Sequence, residues 1–146
     1  MRVWTTLVAA VVTVVLAVPA QSRDDRLRFP LNDALENANA QGKLDAKVKL
    51  YFGDQSYPNP ERQFGTFTAN RKTNFANKSD KDACEWAFLT AVVALQERAK
   101  REGGNAGVKI KSVYRNGNFS SAIEYECGAG NVTGGVALQG EVVTLP

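Results

Sequence analysis

Apolar and polar residues alternate along this chain with two different periods, and the change of period marks its elements. Val48, Leu50 and Phe52 alternate with Lys47, Lys49 and Tyr51, which predicts a half-buried strand with a cationic outer face. Phe64 to Ala69 predicts a second strand. Between Ser79 and Glu102 the period becomes helical. Cys84, Phe88, Val92, Leu95 and Ala99 fall on one stripe, and Trp86, Leu89 and Val93 widen it. Ser79 suits an N-cap, with Asp82 in the capping-box position. Asp80 and Asp82 complement the positive end of the helix dipole, and Lys100 and Arg101 the negative end. Gly103-Gly104 stops the helix. A tryptophan on so apolar a helix is expected to anchor the core.

The remaining segments are read around this helix. Leu27 to Leu31 is extended, because the residue before Pro30 is biased away from helix. A short helix capped by Asn32 or Asp33 runs to about Ala40 and ends at Gly42. Gly53 to Glu61, with Pro58 and Pro60, is a loop. Asn70 to Ser79, polar and rich in asparagine, is a second loop. Past the long helix, Asn116-Gly117 signals a type I′ turn. Centred there, a hairpin sets Ile110 opposite Ile123, Val108 opposite Tyr125, Tyr114 opposite Phe119 and Lys109 opposite Glu124. Gly128 to Asn131 makes another turn. Val136, Leu138 and Val142, alternating with Ala137, Gln139 and Glu141, form a last strand. The expected fold class is α+β: one long helix packed on an antiparallel sheet of about five strands, with a short N-terminal helix.

The first residues read as an address. Met1-Arg2 is a short positive start, Val3 to Val18 is almost wholly apolar, and Val18-Pro19-Ala20 offers a cleavage site, the pattern of a secretory signal peptide over residues 1–20. The run is shorter than the ~20 apolar residues that cross a bilayer comfortably, so no stable membrane span is expected after cleavage. Residues 21–146 then form a single α+β domain. With 44% apolar and 23% charged residues, the composition is that of a globular protein. A net charge of +3, spread along the chain, argues only weakly for nucleic acid, and none is expected as a partner.

Candidate chemistry is thin. The chain has no histidine, which removes Ser-His and Cys-His catalytic units and imidazole metal sites. Two cysteines alone cannot make a zinc site, so no metal site and no cofactor are expected. An oxidising compartment and an even cysteine count favour a Cys84–Cys127 disulfide. The hairpin opposes it, because Cys127 would lie beside Gly107 and the far end of the helix, ~25 Å of helix from Cys84. Both readings stand at this stage. Arg71, Lys72, Asn74 and Lys78 form a cationic loop segment able to bind an anion or a phosphate-bearing envelope component. Glu124 and Glu126 share a strand face and read as a solvated outer surface. The glycines from Gly128 to Gly140 lead into a strand rather than a helix, so they read as turns or close packing instead of a phosphate cradle.

Several stretches carry a resemblance. Arg71 to Asn74, Lys78 to Asp80, Ala83 to Leu89, Leu95 to Ala99, Gly103 to Ala106, Tyr125 to Cys127 and Gly135 to Leu138 together resemble a family of small exported bacterial proteins labelled "excinuclease ATPase subunit". The resemblance implies export, to the periplasm. The chain has no G-x-x-x-x-G-K-[ST] loop, so the ATPase activity in that label is not expected here. The C-terminal half is also similar to the YbjQ-like heavy-metal-binding family and to the stress sensor RcsF, which implies a helix packed on a sheet. Taken together, the expected function is a non-enzymatic periplasmic binding or interaction module, whose partner is an envelope protein or an anionic envelope component. The alternative is a small-anion or metal-ion binding protein.

Overall fold

A computed structural model describes residues 11–18 and 23–146. The expected leader falls largely outside those residues. Residues 11–18 carry no helix or strand and are exposed.

Nine elements follow. They are β1 (Asp25–Pro30), α1 (Leu31–Ala40), β2 (Lys49–Phe52), β3 (Arg62–Asn74), α2 (Asp80–Glu102), β4 (Ala106–Ser112), a short turn of 3-10 helix (Tyr114–Asn116), β5 (Glu124–Ala129) and β6 (Thr133–Thr144). The fold is α+β, with six strands rather than about five. It departs from the antiparallel expectation at one place, where β2 pairs parallel to β4.

The central strand is β6. One of its edges pairs antiparallel with β3 from end to end, Arg62 opposite Thr144 and Asn74 opposite Thr133. Its other edge is shared. β4 takes the C-terminal half, with Ser112 opposite Leu138, and β5 takes the N-terminal half, with Gly128 opposite Gly135. β1 flanks β5, and β2 flanks β4. α2 lies across one sheet face. Strand alternation then sends neighbours to different sides: Val142 packs with Ala99 of α2, and Val143 with Val108 and Leu145 on the far side.

Local chemistry explains α2. The Ser79 side chain accepts a hydrogen bond from the Asp82 N–H at 3.1 Å, closing the first turn. Gly103 ends the helix in the left-handed region at φ 89°, where a side chain would be strained. The core beneath it is aromatic. Phe88 stacks on Tyr125 with centroids 4.0 Å apart, and Phe52 and Phe29 tilt against this pair at 6.0 Å. Burial pushes the Tyr125 hydroxyl well above the ordinary phenol range, with the charges of Glu85 and Asp33 adding to the shift.

Trp86 does not anchor this core. It is 52% exposed, because the helix buries the Cys84–Phe88–Val92 stripe and leaves the Trp86 side open. Its neighbours Leu89 and Val93 join it around a small apolar groove with Lys43.

The expected hairpin is also corrected. The tight turn comes one residue earlier than Asn116-Gly117. Arg115 and Asn116 occupy the left-handed positions at φ 46° and 61°, and the Gly117 N–H donates to the Tyr114 carbonyl at 3.0 Å. Ser112 therefore faces Phe119, and pairing stops there. A bulge at Lys109, φ 51°, adds a residue to β4 against both neighbours, so Val108 and Ile110 face opposite sides of the sheet instead of one. Lys109 meets Glu141 at 3.8 Å, not Glu124. Ile123 is 70% exposed.

This excursion also resolves the cysteines. After Phe119 the chain leaves β4 and re-enters as β5 farther along β6. Cys127 is thereby carried to the level of the N-terminal turns of α2, and Cys84 and Cys127 form a disulfide with Cα atoms 5.8 Å apart.

Candidate functional site

The residues expected to form a cationic loop lie mostly on a strand. Asn70 to Asn74 continue β3, because their backbone pairs with Gly134 to Ala137 of β6 even though their side chains are polar. Strand geometry then separates the expected set. Arg71 projects toward the α2 side and is half-buried, whereas Lys72 and Asn74 project to the far face and are exposed. Asn74 spends its Oδ1 accepting the Ala76 N–H at 2.8 Å. Lys78 lies in the turn before α2 and is exposed. The four residues do not converge on one point.

Arg71 instead meets a different pair. A groove of about 240 Å³ runs between β3 and α2, lined by Thr66 to Ala69 and Arg71 on one wall and by Ala94, Leu95, Arg98 and Arg101 on the other. Arg98 and Arg101 are three residues apart on α2 and so share a helix face. Arg98 lies 4.1 Å over the Phe67 ring and bonds Glu102 at 2.9 Å, which fixes it against the strand. Arg71 donates to its neighbour, the Asn70 carbonyl, at 2.8 Å. Among the described residues neither Arg71 nor Arg101 enters an ion pair, so two of the three guanidinium groups lining the groove have no carboxylate in contact.

Sequence reasoning missed Arg98, and assigned Arg101 only to the helix dipole. The available signal was their spacing beside Ala94 and Leu95, which places both at the border of the buried stripe.

The groove lies along an open edge. Phe75 donates to the Val132 carbonyl at 2.7 Å and so forms a hydrogen-bonded pair with it. Counting back along the register, Thr73, Arg71, Ala69 and Phe67 bond to β6. On the opposite edge of β6, Ala137 and Val143 accept from Val113 and Asn105, which agrees with this phase. The N–H and C=O groups of Thr66, Thr68, Asn70 and Lys72 consequently point away from the sheet. Among the described residues no strand pairs with that edge.

Two wider clefts hold charge that is already matched. One of about 490 Å³ contains Arg23 and Arg115. Arg23 is paired with both Asp25 and Asp80, which raises its pKa and holds the Asp80 carboxyl below its usual range, and Arg115 faces Asp24 at 3.8 Å. The other, of about 480 Å³, sets Lys109 and Lys111 among Asp54 and Glu141. The carboxylates read as a solvated pair part company: Glu126 is buried between Arg26 and Arg28, at 3.9 and 3.5 Å, while Glu124 stays half-buried. Among the described residues no three His, Cys, Asp or Glu side chains stand close enough to hold a metal ion. No helix there is long and apolar enough to cross a membrane.

No protein family, curated protein or solved structure matches this chain.

Proposed function

We propose that this protein is a non-enzymatic binding module of the bacterial cell envelope, exported to the periplasm through residues 1–20, and that it holds an anionic envelope partner in the groove between β3 and α2. The observation that carries this reading is the set Arg71, Arg98 and Arg101 along one groove, two of the three without an ion pair among the described residues. Guanidinium groups keep their charge at every physiological pH and present several directed donors, which suits carboxylate or phosphate recognition better than lysine would. The disulfide between Cys84 and Cys127 supports an oxidising compartment. No acid–base or nucleophilic constellation enters the proposal, since the groove offers only guanidinium, hydroxyl and backbone groups.

A small-anion reading has one observation of its own, the pair Lys109 and Lys111 in the far-face cleft, where the bulge aims Lys109 outward. Asp54 and Glu141 in the same cleft weaken it.

Titration of the disulfide-bonded protein with poly-L-glutamate tests the first reading. Binding is expected to weaken about tenfold or more in the Arg71→Glu/Arg101→Glu variant and to fall as salt rises. Equal binding by both proteins, or none by either, overturns it. Lys109→Glu/Lys111→Glu is the matching control for the far-face cleft.

A further inference from the structure

We infer that the partner of this groove is an extended acidic polypeptide segment that adds to the sheet as a seventh strand, pairing with the free edge of β3. The inference rests on the anion-binding reading of the groove and makes the partner specific. Its first support is the backbone. Thr66, Thr68, Asn70 and Lys72 present outward N–H and C=O groups at the two-residue spacing that an added strand would satisfy, with the Asn70 carbonyl already accepting one bond from the Arg71 guanidinium. A strand of 13 residues with a bare edge is unusual, since proteins normally shorten, cover or kink such edges. The one bulge in β3, between Gln63 and Gly65, falls before this stretch and leaves it regular.

The second support is charge. Side chains of an added strand would alternate between the two faces of the sheet. Those on the α2 side would meet Arg71, Arg98 and Arg101, so acidic residues at every second position match them. The other side chains would lie beside Thr66, Thr68, Asn70 and Lys72, which favours hydroxyl or acidic groups there as well. β3 itself carries Arg62, Arg71 and Lys72 and no acid. Pairing of this edge with the same edge of a second copy would bring like charges together, so a second copy is not the occupant favoured here.

The experiment uses the disulfide-bonded protein and a synthetic peptide in which glutamate alternates with valine or threonine. Three further probes accompany it: the same peptide N-methylated at alternate backbone nitrogens, inorganic phosphate, and vesicles containing anionic phospholipid. The peptide is expected to bind and to slow amide exchange at Thr66, Thr68, Asn70 and Lys72, and N-methylation is expected to weaken binding about tenfold or more. Thr68→Pro, which removes one outward donor and leaves the β6 ladder intact, is expected to weaken the peptide and not phosphate. The methylated probe keeps the test valid if that variant fails to fold.

Equal binding of both peptides, abolished by Arg71→Glu/Arg101→Glu, would overturn strand addition while leaving the anion-binding reading standing. Vesicles or phosphate binding through the same arginines, with no binding by the peptide, would do the same. Failure of every probe overturns both. Concentration-dependent self-association that protects the same four amides and excludes the peptide would assign the edge to a second copy and overturn the inference.

Discussion

Cys84, in the second turn of α2, is bonded to Cys127 of β5, and neither residue is exposed. The bond ties the start of the helix to a strand reached only after the chain has traversed β4 and the Tyr114–Asn116 turn. It closes a loop of 43 residues, whose constraint on the unfolded chain corresponds to about 4 kcal/mol in the chain-entropy account.

Replacing both cysteines by alanine is therefore expected to lower stability by about 4 kcal/mol, read as a lower urea midpoint, with helix content kept under native conditions. A loss below about 1 kcal/mol would contradict the placement of this bond.

Tyr114 and Gly128 make a second testable pair. The Tyr114 ring rests on Gly128, where a Cβ would collide with it. The Tyr114 hydroxyl is buried and, among the described residues, has no hydrogen-bond partner. Gly128→Ala is expected to cost about 1–3 kcal/mol through overpacking. Tyr114→Phe is expected to be neutral or to stabilise by about 1 kcal/mol, because it removes an unsatisfied polar atom. Urea unfolding is expected to show a loss of stability for Gly128→Ala and none for Tyr114→Phe.

Trp86 and Phe88 stand two residues apart on α2 with opposite fates, 52% and 0% exposed. Phe88→Ala is expected to cost about 3–5 kcal/mol by leaving a cavity beside Tyr125. Trp86→Ala is expected to cost less than about 1 kcal/mol. Thermal unfolding of both variants checks this ordering.

Stability should also fall with acid at two named ion pairs. The Lys100 ammonium at 2.8 Å, then the Lys47 N–H, holds the Asp45 carboxyl below its ordinary 3.8, and the Arg23 guanidinium does the same for Asp80. A carboxyl with a depressed native pKa stabilises the fold above its unfolded pKa, and that stability is lost as pH drops toward the native value. Arg23 and Lys100 are raised instead, so their side of each pair fails only in strong alkali. The melting temperature is expected to hold down to about pH 5 and then decline. Asp45→Asn and Asp80→Asn should each start lower and decline less steeply. An unchanged slope in both variants would count against these pairs.

The long helix was legible in the sequence because its signals are local, whereas α1 starts at Leu31 behind Pro30, ahead of Asn32 and Asp33 that were expected to cap it, and has no side-chain cap. Ser79, Asp82 and Gly103 mark the ends of α2 within a few residues of where they act. The β3 extension was not legible. Asn70 to Asn74 look like a loop by side chain, and only pairing with a distant strand makes them a strand. The hairpin failed for a related reason. Asn116-Gly117 correctly signalled a turn, but the one-residue offset and the Lys109 bulge depend on how β4 fits between β2 and β6. That same misfit hid the route by which Cys127 reaches Cys84. Arg71 was singled out for its charge, whereas Arg98 and Arg101, which line the same groove, become its neighbours only once α2 lies across the sheet.

The account depends most on the β3 edge being open, and residue-resolved amide exchange on the free protein tests that directly. Phe67, Ala69 and Arg71, bonded to β6, should exchange slowly, while Thr66, Thr68, Asn70 and Lys72 exchange at rates close to those of solvent-exposed amides. Uniform slow exchange across all seven positions would mean that the edge is already covered, and the binding surface described above would not exist.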